Sequence, residues 1–538
     1  MEVNLLQLAV VIAVFAYLYR LLTKNNGYFH DKPIPSLAVK PLIGSSGDLL
    51  LKRVTFGEFI KSVYNKFPNV KVLGLFDTTT PMFVIRDPEL IKRIAVKDFD
   101  HFVDHRPIFG NSDEIDNPHA LFGKTLFSMN GQRWRDMRAT LSPAFTGSKM
   151  RQMFQLMDDC MQTMVQFYQT ELKKCGGALE VEVKDILSRL AMDVIGSCAF
   201  GLKLDSFKDR DSEFVRQAKK MLQFGRLTSV MKIFAFRWFP KIVGRMGFDL
   251  IDREQAVYFS EIIRDTVRTR ESQGIVRYDM IDLMQQARKG MLKHHQETET
   301  EEGFATVQES DVGKVQVLKP MTETEMIAQC FIFFIGGFDT VSTTATFLLY
   351  ELIRNPEIQQ TLYSEVLETH KSLAGSPLNY DVLQKMKYLD MVISESLRLW
   401  PPAPALDRLC VHDYTLDDGE GLRFTIDKGT CAWIPVQGLH TDPQYYPNPE
   451  RFDPERFSDE NKGNINLGAY LPFGIGPRNC IGSRFALMEV KAIVYYLLLN
   501  FSFHRSENTQ IPLKLKKGFV NLQTEKGMFM RLQLRNNA

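Results

Sequence analysis

The sequence predicts a helix-rich protein built as one folded unit behind an apolar N-terminal segment. Two stretches, residues 322–355 and 388–399, carry helical patterns that end at Pro356 and Pro401. The chain has 538 residues, of which 44% are hydrophobic, so it can bury a large core. A chain of this length often divides into several domains, but no linker in the sequence supports such a division.

The N-terminal segment is a candidate membrane anchor. Residues 3–19 carry no charge, and a helix of that length spans about 26 Å, which matches a thin bilayer. A cleaved signal peptide is the alternative, but Glu2 stands where such a peptide carries basic residues, and no clear cleavage site follows. Arg20, Lys24 and Lys32 come next, so the positive-inside rule places the rest of the chain in the cytosol. The predicted division is an anchor at residues 1–22, a proline-rich hinge at 23–36 and one domain at 37–538.

Charge and cysteine content argue against several classes of protein. The formal net charge is +2, and no dense run of Lys or Arg indicates binding to nucleic acid. The seven cysteines are odd in number and lack paired spacing, which argues against a disulfide framework or a zinc site. One acidic polar stretch, residues 289–319, is predicted to be a mobile surface loop that interrupts the domain.

The most informative stretch is residues 473–482, Phe-Gly-Ile-Gly-Pro-Arg-Asn-Cys-Ile-Gly, which presents Cys480 in a glycine-rich loop. A cysteine thiolate is the axial ligand that pushes electron density onto a haem iron and favours O–O cleavage. Gly474, Gly476 and Gly482 would let the backbone turn tightly and bring N–H groups toward the sulfur, which tunes the redox potential. The alternative is an ordinary buried free cysteine, which is the default for the other six.

This loop resembles the cysteine-ligand loop of the cytochrome P-450 family, and further motifs follow in the family's order across residues 33–534. The resemblance implies the cytochrome P-450 fold, a mainly α domain with a small β-rich subdomain, behind an N-terminal transmembrane anchor. It implies haem b, with Cys480 as the metal ligand and Phe473, Gly474 and Arg478 in contact with the haem. The run at residues 339–344 is similar to insect family 9 enzymes, and a mosquito is the expected source.

Other motifs resemble groups that hold the haem propionates in this family. Trp134 and Arg138 lie four residues apart on one predicted helical face, and Arg408 follows the Pro-Pro stop. The alternative for Trp134 and Arg138 is a surface arginine packed on a tryptophan. His105 stands where many relatives carry arginine, so no propionate contact is assigned to it.

Glu395, Arg398 and Arg456 resemble the family's Glu-Arg-Arg network, which locks the cysteine segment under the haem. On its own, a Glu and an Arg three residues apart is more often an exposed helix pair worth a few tenths of a kcal/mol. In the network the three residues would have a structural role, as a buried charge cluster that is costly to break.

The helical pattern at residues 322–355 opens with a possible capping box, Thr322 with Glu325. A second membrane span is the alternative for this apolar run, but Asp339 and adjacent glycines make it costly in lipid. The resemblance implies a helix over the haem, with Thr340 as the catalytic hydroxyl and Asp339 as its link to a proton supply. Gly336 stands where the family usually has alanine, a departure that would widen the groove. A helix hydroxyl more often bonds back to its own carbonyls.

The resemblance implies an enzyme, a monooxygenase in the endoplasmic reticulum membrane. It would insert one oxygen atom of O2 into a lipophilic small molecule. The electrons would come from NADPH through a flavoprotein reductase, with cytochrome b5 as an optional second donor. Detoxification of xenobiotics or insecticides is expected, and hydroxylation of an endogenous lipid, hormone or steroid is the alternative. A reductase-independent isomerase or dehydratase typically lacks the oxygen-activating threonine, and a haem sensor needs no proton relay.

Three further predictions concern the pocket and the surface. Selectivity is assigned to the stretch after His105 and to residues 403–406 and 519–522, and plain core is the alternative. Residues 223–243 combine aromatic and basic side chains and are predicted to lie at the membrane interface, with a buried helix as the alternative. The named pocket residues are Phe331, Phe334, Ile335, Ala405 and Phe519. A basic patch for the reductase is assigned to Arg133, Arg135, Lys149, Arg151, Arg484 and Lys491.

Overall fold

The structure is a computed structural model that describes residues 5–40, 43–107, 121–221, 231, 235, 251–292, 303–314, 321–518 and 522–535. Helices dominate the described residues. Helices α1 to α8 cover Leu5–Thr23, Gly47–Leu50, Phe56–Asn65, Pro88–Lys92, Gly131–Leu141, Gly147–Lys174, Val183–Phe200 and Glu213–Met221. Helices α9 to α17 cover Arg253–Gln273, Met280–Arg288, Asp311–Lys314, Glu323–Arg354, Pro356–Ser372, Tyr380–Gln384, Lys387–Leu399, Val436–His440 and Ser483–Asn500.

The strands form small sheets at the edge of the helical body. Strands β1 to β9 cover Val72–Asp77, Thr80–Ile85, Ala178–Glu182, Leu406–Leu409, Tyr414–Asp417, Arg423–Ile426, Cys431–Ile434, Phe501–His504 and Phe529–Leu534. One sheet has the order β1-β2-β7-β4, a second has β3-β9-β8, and β5 pairs with β6. Strands β2 and β7 run parallel, and the other pairs are antiparallel. The predicted mainly α fold with a small β-rich part is confirmed.

Helix α12 is the central element of the molecule. The Thr322 hydroxyl accepts from the Glu325 N–H, and the Glu325 carboxylate accepts from the Thr322 N–H, so the predicted capping box starts the helix. The helix ends before Pro356, which cannot continue an α-helical hydrogen-bond ladder. Among the described residues α12 is the one helix long and apolar enough to cross a membrane, but 61% of its most apolar window is buried in protein. It is therefore a core helix, as the sequence indicated.

Helix α1 coincides with the apolar N-terminal run, and its described side chains face outward. Phe15 is 68% exposed and Tyr17 is 67% exposed, which leaves a large apolar surface without protein cover. The chain then turns back to the body, where Phe29 is buried against Phe76 and Phe83 at ring distances of 5.2 and 5.4 Å. The anchor and hinge boundaries remain predictions.

Part of the acidic stretch is packed on the body, in contrast to the mobile loop that its composition predicted. Residues 303–314 are described and include α11. The Phe304 ring lies 5.1 Å from the ring of Phe457 and 5.4 Å from that of Tyr470. One aromatic residue in a polar segment was enough to fix it, because the body offers an aromatic site that composition alone does not reveal.

Candidate active site

The cysteine loop is built by tight turns that end at the start of α17. The Cys480 N–H donates to the Phe473 carbonyl at 2.8 Å, and the Asn479 N–H donates to the Gly476 carbonyl at 2.9 Å. Gly476 has a φ of 74°, and a Cβ there would lie 1.9 Å from the Ala95 carbonyl oxygen. Glycine is therefore required at this position by both backbone conformation and space.

Cys480 opens onto the interior of the protein. Its side chain has accessible surface, although the protein around it is dense enough for burial to raise the pKa of the thiol. The backbone N–H of Gly482 and the charge of Arg138 act in the opposite direction and favour the thiolate. The predicted delivery of an N–H group to the sulfur is present at Gly482.

The middle of α12 faces the same interior space. Gly336 and Thr340 are both exposed, although Phe334, Phe338 and Val341 beside them are buried. A cleft lined by Thr340 also reaches Phe473 of the cysteine loop. Its other lining residues are Val341, Thr344, Ile393, Leu397, Pro402, Ala486, Leu487 and Val490. The cleft thus joins the distal helix to the cysteine loop and is mostly apolar.

The Thr340 hydroxyl donates to the Gly336 carbonyl, four residues earlier in α12. This is the back-bonded arrangement that was weighed as the ordinary alternative. The hydroxyl nevertheless lies at the cleft surface, so its oxygen can accept a hydrogen bond from a water or a substrate. The structure places Thr340 where a catalytic hydroxyl is needed, and its role remains a prediction.

Asp339 has a partner that the sequence analysis did not identify. Lys184 of α7 places its Nζ 3.2 Å from Asp339 Oδ1, and it donates to Ser342 Oγ and Thr343 Oγ1 at 2.8 and 2.7 Å. Burial lowers the pKa of Lys184, while the charge of Asp339 acts to raise it. No local pattern marks Lys184, because its partners lie about 155 positions away in the chain.

Three arginines and a tryptophan surround the cysteine loop. Arg478 places its guanidinium carbon 4.0 Å from the ring centroid of Trp134, which is buried. Arg138 donates to the Asn479 carbonyl at 2.8 Å, and Arg408 donates to the Ile475 carbonyl at 3.0 Å. The structure therefore brings together all four residues predicted to contact the haem edge.

Their polar atoms differ in how well they are satisfied. Within the described residues, the buried Nε of Arg408 has no hydrogen-bond partner, and burial lowers the pKa of this guanidinium. A carboxylate placed there would relieve both deficits, as a haem propionate would. Arg138 is already paired with Glu309 at 2.8 Å, so a propionate would have to share it. His105 lies 3.0 Å from the Asp407 carboxylate, which agrees with leaving it out of the propionate set.

A haem fits the residues that are present. Cys480 supplies the thiolate, Arg408 supplies an unmet donor, and the surface of Gly336 and Thr340 faces the same interior. Gly336 meets no atom within 4 Å of a Cβ built on it, so the helix surface there is open to a flat ligand. The donor set is that of a haem-thiolate site.

The Glu395, Arg398 and Arg456 side chains come together as the resemblance implied. Glu395 and Arg398 have no exposed surface, and their carboxylate and guanidinium form a double hydrogen bond of 2.6 and 2.8 Å. Arg456 Nε lies 3.5 Å from Glu395 Oε1. Arg398 also donates to the carbonyls of His440 and Pro449, so the pair ties α15 to the chain ahead of the cysteine loop. The structural role assigned to these residues remains a prediction.

The structure does not bring the predicted pocket residues together at the cleft. Phe331 and Phe334 are fully buried, and Phe334 packs in an aromatic cluster with Phe200, Phe214 and Phe259. Phe331 is nine residues before Thr340, which puts it on the opposite face of α12 at 100° per residue. Ile335 and Ala405 are half-buried, and Phe519 lies outside the described residues.

Phe333 is the aromatic residue on the Thr340 face, and the sequence analysis missed it. It is seven residues before Thr340, which corresponds to two helical turns. Its ring lies 5.1 Å from that of Phe145, which borders Gly482 of the cysteine loop. Helical periodicity alone would have selected Phe333 over Phe331.

The two predicted surface features receive little support. Most of residues 223–243 lies outside the described residues, and of the two that are described Met231 is exposed. In the basic patch, Lys491 is fully buried beside Asp390 and is not a surface charge. The other paired members are Arg133 with Glu325, Arg135 with Asp100 and Arg151 with Asp381.

Comparison with known proteins agrees with the site. The family model described as "Cytochrome P450" matches residues 35–530. "Probable cytochrome P450 9f2" of Drosophila melanogaster is 40% identical over 533 residues, covering 98% of each chain. "Cytochrome P450 9e2" of Blattella germanica is 40% identical over 539 residues, covering 98% of this chain and 97% of that protein. "Cytochrome P450 9b2" of Drosophila melanogaster is 36% identical over 532 residues, covering 98% of this chain and 99% of that protein.

The fold and the site therefore define a haem-thiolate oxidoreductase. The chain belongs to the cytochrome P-450 family, and its similarity to insect family 9 members confirms the resemblance seen in the motifs. Membership makes it a monooxygenase that uses haem b, O2 and NADPH-derived electrons, with a redox partner and a small-molecule substrate.

Proposed function

We propose that this protein is a microsomal monooxygenase that oxidises lipophilic foreign compounds such as insecticides. The observation that carries the proposal is the cleft between α12 and the cysteine loop, whose lining is apolar except for two threonines. An apolar site with few polar groups holds lipophilic molecules by burial of their surface and leaves their orientation loosely fixed. That combination suits an enzyme that acts on varied lipophilic molecules.

The haem, when bound, supplies the oxygen-activating chemistry, and the surrounding residues hold and orient it. Cys480 is the proposed iron ligand. Arg408 and Arg478 are the proposed propionate donors, with Trp134 beneath the Arg478 guanidinium. The Glu395 and Arg398 pair keeps the segment before the loop in place, so that Cys480 keeps a constant position relative to α12.

Proton delivery is assigned to the distal helix. Thr340 Oγ1 lies at the cleft surface and can hold a water there by hydrogen bonding. Asp339, the preceding residue, is the proposed carboxylate that passes protons from outside the cleft. Lys184 fixes the Asp339 carboxylate at 3.2 Å and is proposed as a positioning residue.

Helix α1 is proposed to anchor the enzyme in the endoplasmic reticulum membrane, with the catalytic domain in the cytosol. The support is its apolar composition, its outward-facing aromatic side chains, and the basic residues Arg20, Lys24 and Lys32 that follow. Removal of residues 1–22 is expected to shift most of the protein from the membrane fraction to the soluble fraction. Full retention in the membrane fraction would show that α1 is not the main anchor.

A turnover assay with the reductase tests the function. Purified protein, NADPH and flavoprotein reductase are combined with a panel of lipophilic insecticides, fatty acids and steroids, and products are identified by mass spectrometry with 18O2. The proposal predicts incorporation of one 18O atom into several insecticides. Incorporation confined to one steroid or fatty acid would instead indicate an endogenous substrate. Product formation without NADPH would indicate an isomerase or dehydratase.

A further inference from the structure

The packed part of the acidic stretch, residues 303–314, crosses the outer side of the cysteine loop; we call it the strap. At its first end, the Phe304 N–H donates to Asp390 of α15 at 2.8 Å, and the ring packs between Phe457 and Tyr470. Lys491 of α17 lies beside the same Asp390 at 3.1 Å. This end is therefore fixed by aromatic packing and by a buried polar cluster.

The strap then reaches the residue before the ligand cysteine. The Asn479 side-chain amide donates to the Gln308 carbonyl at 3.1 Å. The next residue, Glu309, pairs with Arg138 of α5 through bonds of 2.8 and 3.3 Å and accepts from the Ser142 hydroxyl at 2.9 Å. The strap thus spans from α15 and α17 to α5 directly over Asn479.

The two ends of the strap are held by different forces. The Phe304 end buries aromatic surface, which no acidic partner can replace. The Glu309 end is a carboxylate on an arginine, an interaction that any other carboxylate can reproduce with little net change in energy. Glu309 is 20% exposed and Arg138 is 3% exposed, so solvent and partners can reach the carboxylate but not the arginine. The Glu309 end is the exchangeable one.

We propose that the strap is an intramolecular competitor for the surface on which an acidic redox partner docks, with Glu309 occupying Arg138 until a partner carboxylate replaces it. The inference rests on the proposed function, in which a flavoprotein reductase delivers electrons from the cysteine side. The neighbouring cations Arg133, Arg135 and Arg151 are already paired with carboxylates of the chain, so release of Arg138 adds the charge nearest to Asn479. Electron delivery is then coupled to displacement of the Glu309 end.

Two variants with the same change of charge test this proposal. Glu309→Gln breaks the ion pair with Arg138, while Asp311→Asn removes a fully exposed carboxylate of the same strap. At low salt and limiting reductase, stopped-flow haem reduction is expected to be roughly 2- to 5-fold faster in Glu309→Gln, the range for a partly exposed ion pair. Asp311→Asn is expected to match the unmodified protein. Equal rates in the two variants, or slower reduction in Glu309→Gln, would overturn the proposal.

Hydrogen–deuterium exchange of the full-length holoenzyme provides a second readout that does not depend on a variant. Addition of oxidised reductase is expected to speed amide exchange in residues 308–314 and to leave residues 303–305 protected. Stronger protection of residues 308–314 would show that the strap is part of the docking face, which contradicts competition. Reduction by dithionite under carbon monoxide bypasses the reductase. A thiolate-haem spectrum there, with no strap effect, would overturn the strap proposal while leaving the haem-thiolate assignment intact; its absence in the unmodified protein would overturn the proposed function instead.

Discussion

Lys184 Nζ lies 3.2 Å from Asp339 Oδ1 and also donates to Ser342 and Thr343 on the following turn of the same helix. Because α7 supplies the ammonium and α12 supplies the acceptors, one side chain fastens the two helices beside Thr340. Burial lowers the pKa of Lys184, and its hydrogen bonds favour the charged form. The contact fixes the direction of the Asp339 carboxylate.

Lys184→Met is expected to lower turnover by roughly tenfold, since the lysine acts on proton delivery through Asp339 and not directly. Haem content should stay near normal, and Lys184→Arg should restore part of the activity because it keeps the charge. The measurement is kcat together with the fraction of NADPH electrons recovered in product. Lys173→Met, an exposed lysine on α6, is the control. Equal kcat in Lys184→Met and Lys173→Met would exclude the positioning role.

Thr340→Ala is expected to retain haem binding and NADPH consumption but to divert electrons to hydrogen peroxide, because the cleft loses the hydroxyl that positions the proton-delivering water. Product per NADPH should fall by about twofold or more with several substrates. Thr346→Ala is a matched control, since Thr346 makes the same back-bond four residues earlier in α12 but is buried away from the cleft. If both variants couple as the unmodified protein does, Thr340 is an ordinary helix residue.

Glu395→Ala and Arg398→Ala are each expected to yield little haem-loaded protein. Each leaves the other charge buried without its main partner, at a cost of about 3–5 kcal/mol. Arg456→Ala should have a smaller effect, because its Nε is 3.5 Å from Glu395 and its side chain is 12% exposed. Haem per protein and soluble yield are the measurements, with the exposed pair member Glu89→Ala as the control. Normal haem content in Arg398→Ala would contradict the locking role.

Local signals in the sequence predicted the elements whose determinants are local. The capping box at Thr322 and Glu325 and the proline at 356 set the bounds of α12 without help from the rest of the fold. The requirement for glycine at position 476 follows from a turn within ten residues of Cys480. Motif order then supplied the family, and with it the mainly α fold.

Long-range contacts set the parts of the site that the sequence did not predict. Lys184 meets Asp339 across about 155 positions, and Glu309 meets Arg138 across 171, with no pattern linking either pair. The strap was taken for a mobile loop because composition describes solubility and not the surface that receives Phe304. The placement of Phe331 was avoidable, because nine residues along a helix reverse the face.

The most direct test of the account is the absorption spectrum of the reduced, carbon monoxide-bound protein after replacement of the ligand cysteine. Cys480→Ser removes the proposed thiolate, and Cys410→Ser changes another cysteine that lies buried away from the cleft. The account predicts that Cys410→Ser keeps the band characteristic of thiolate-ligated haem and that Cys480→Ser loses it. A persistent thiolate band in Cys480→Ser would contradict the assignment of Cys480 as the iron ligand.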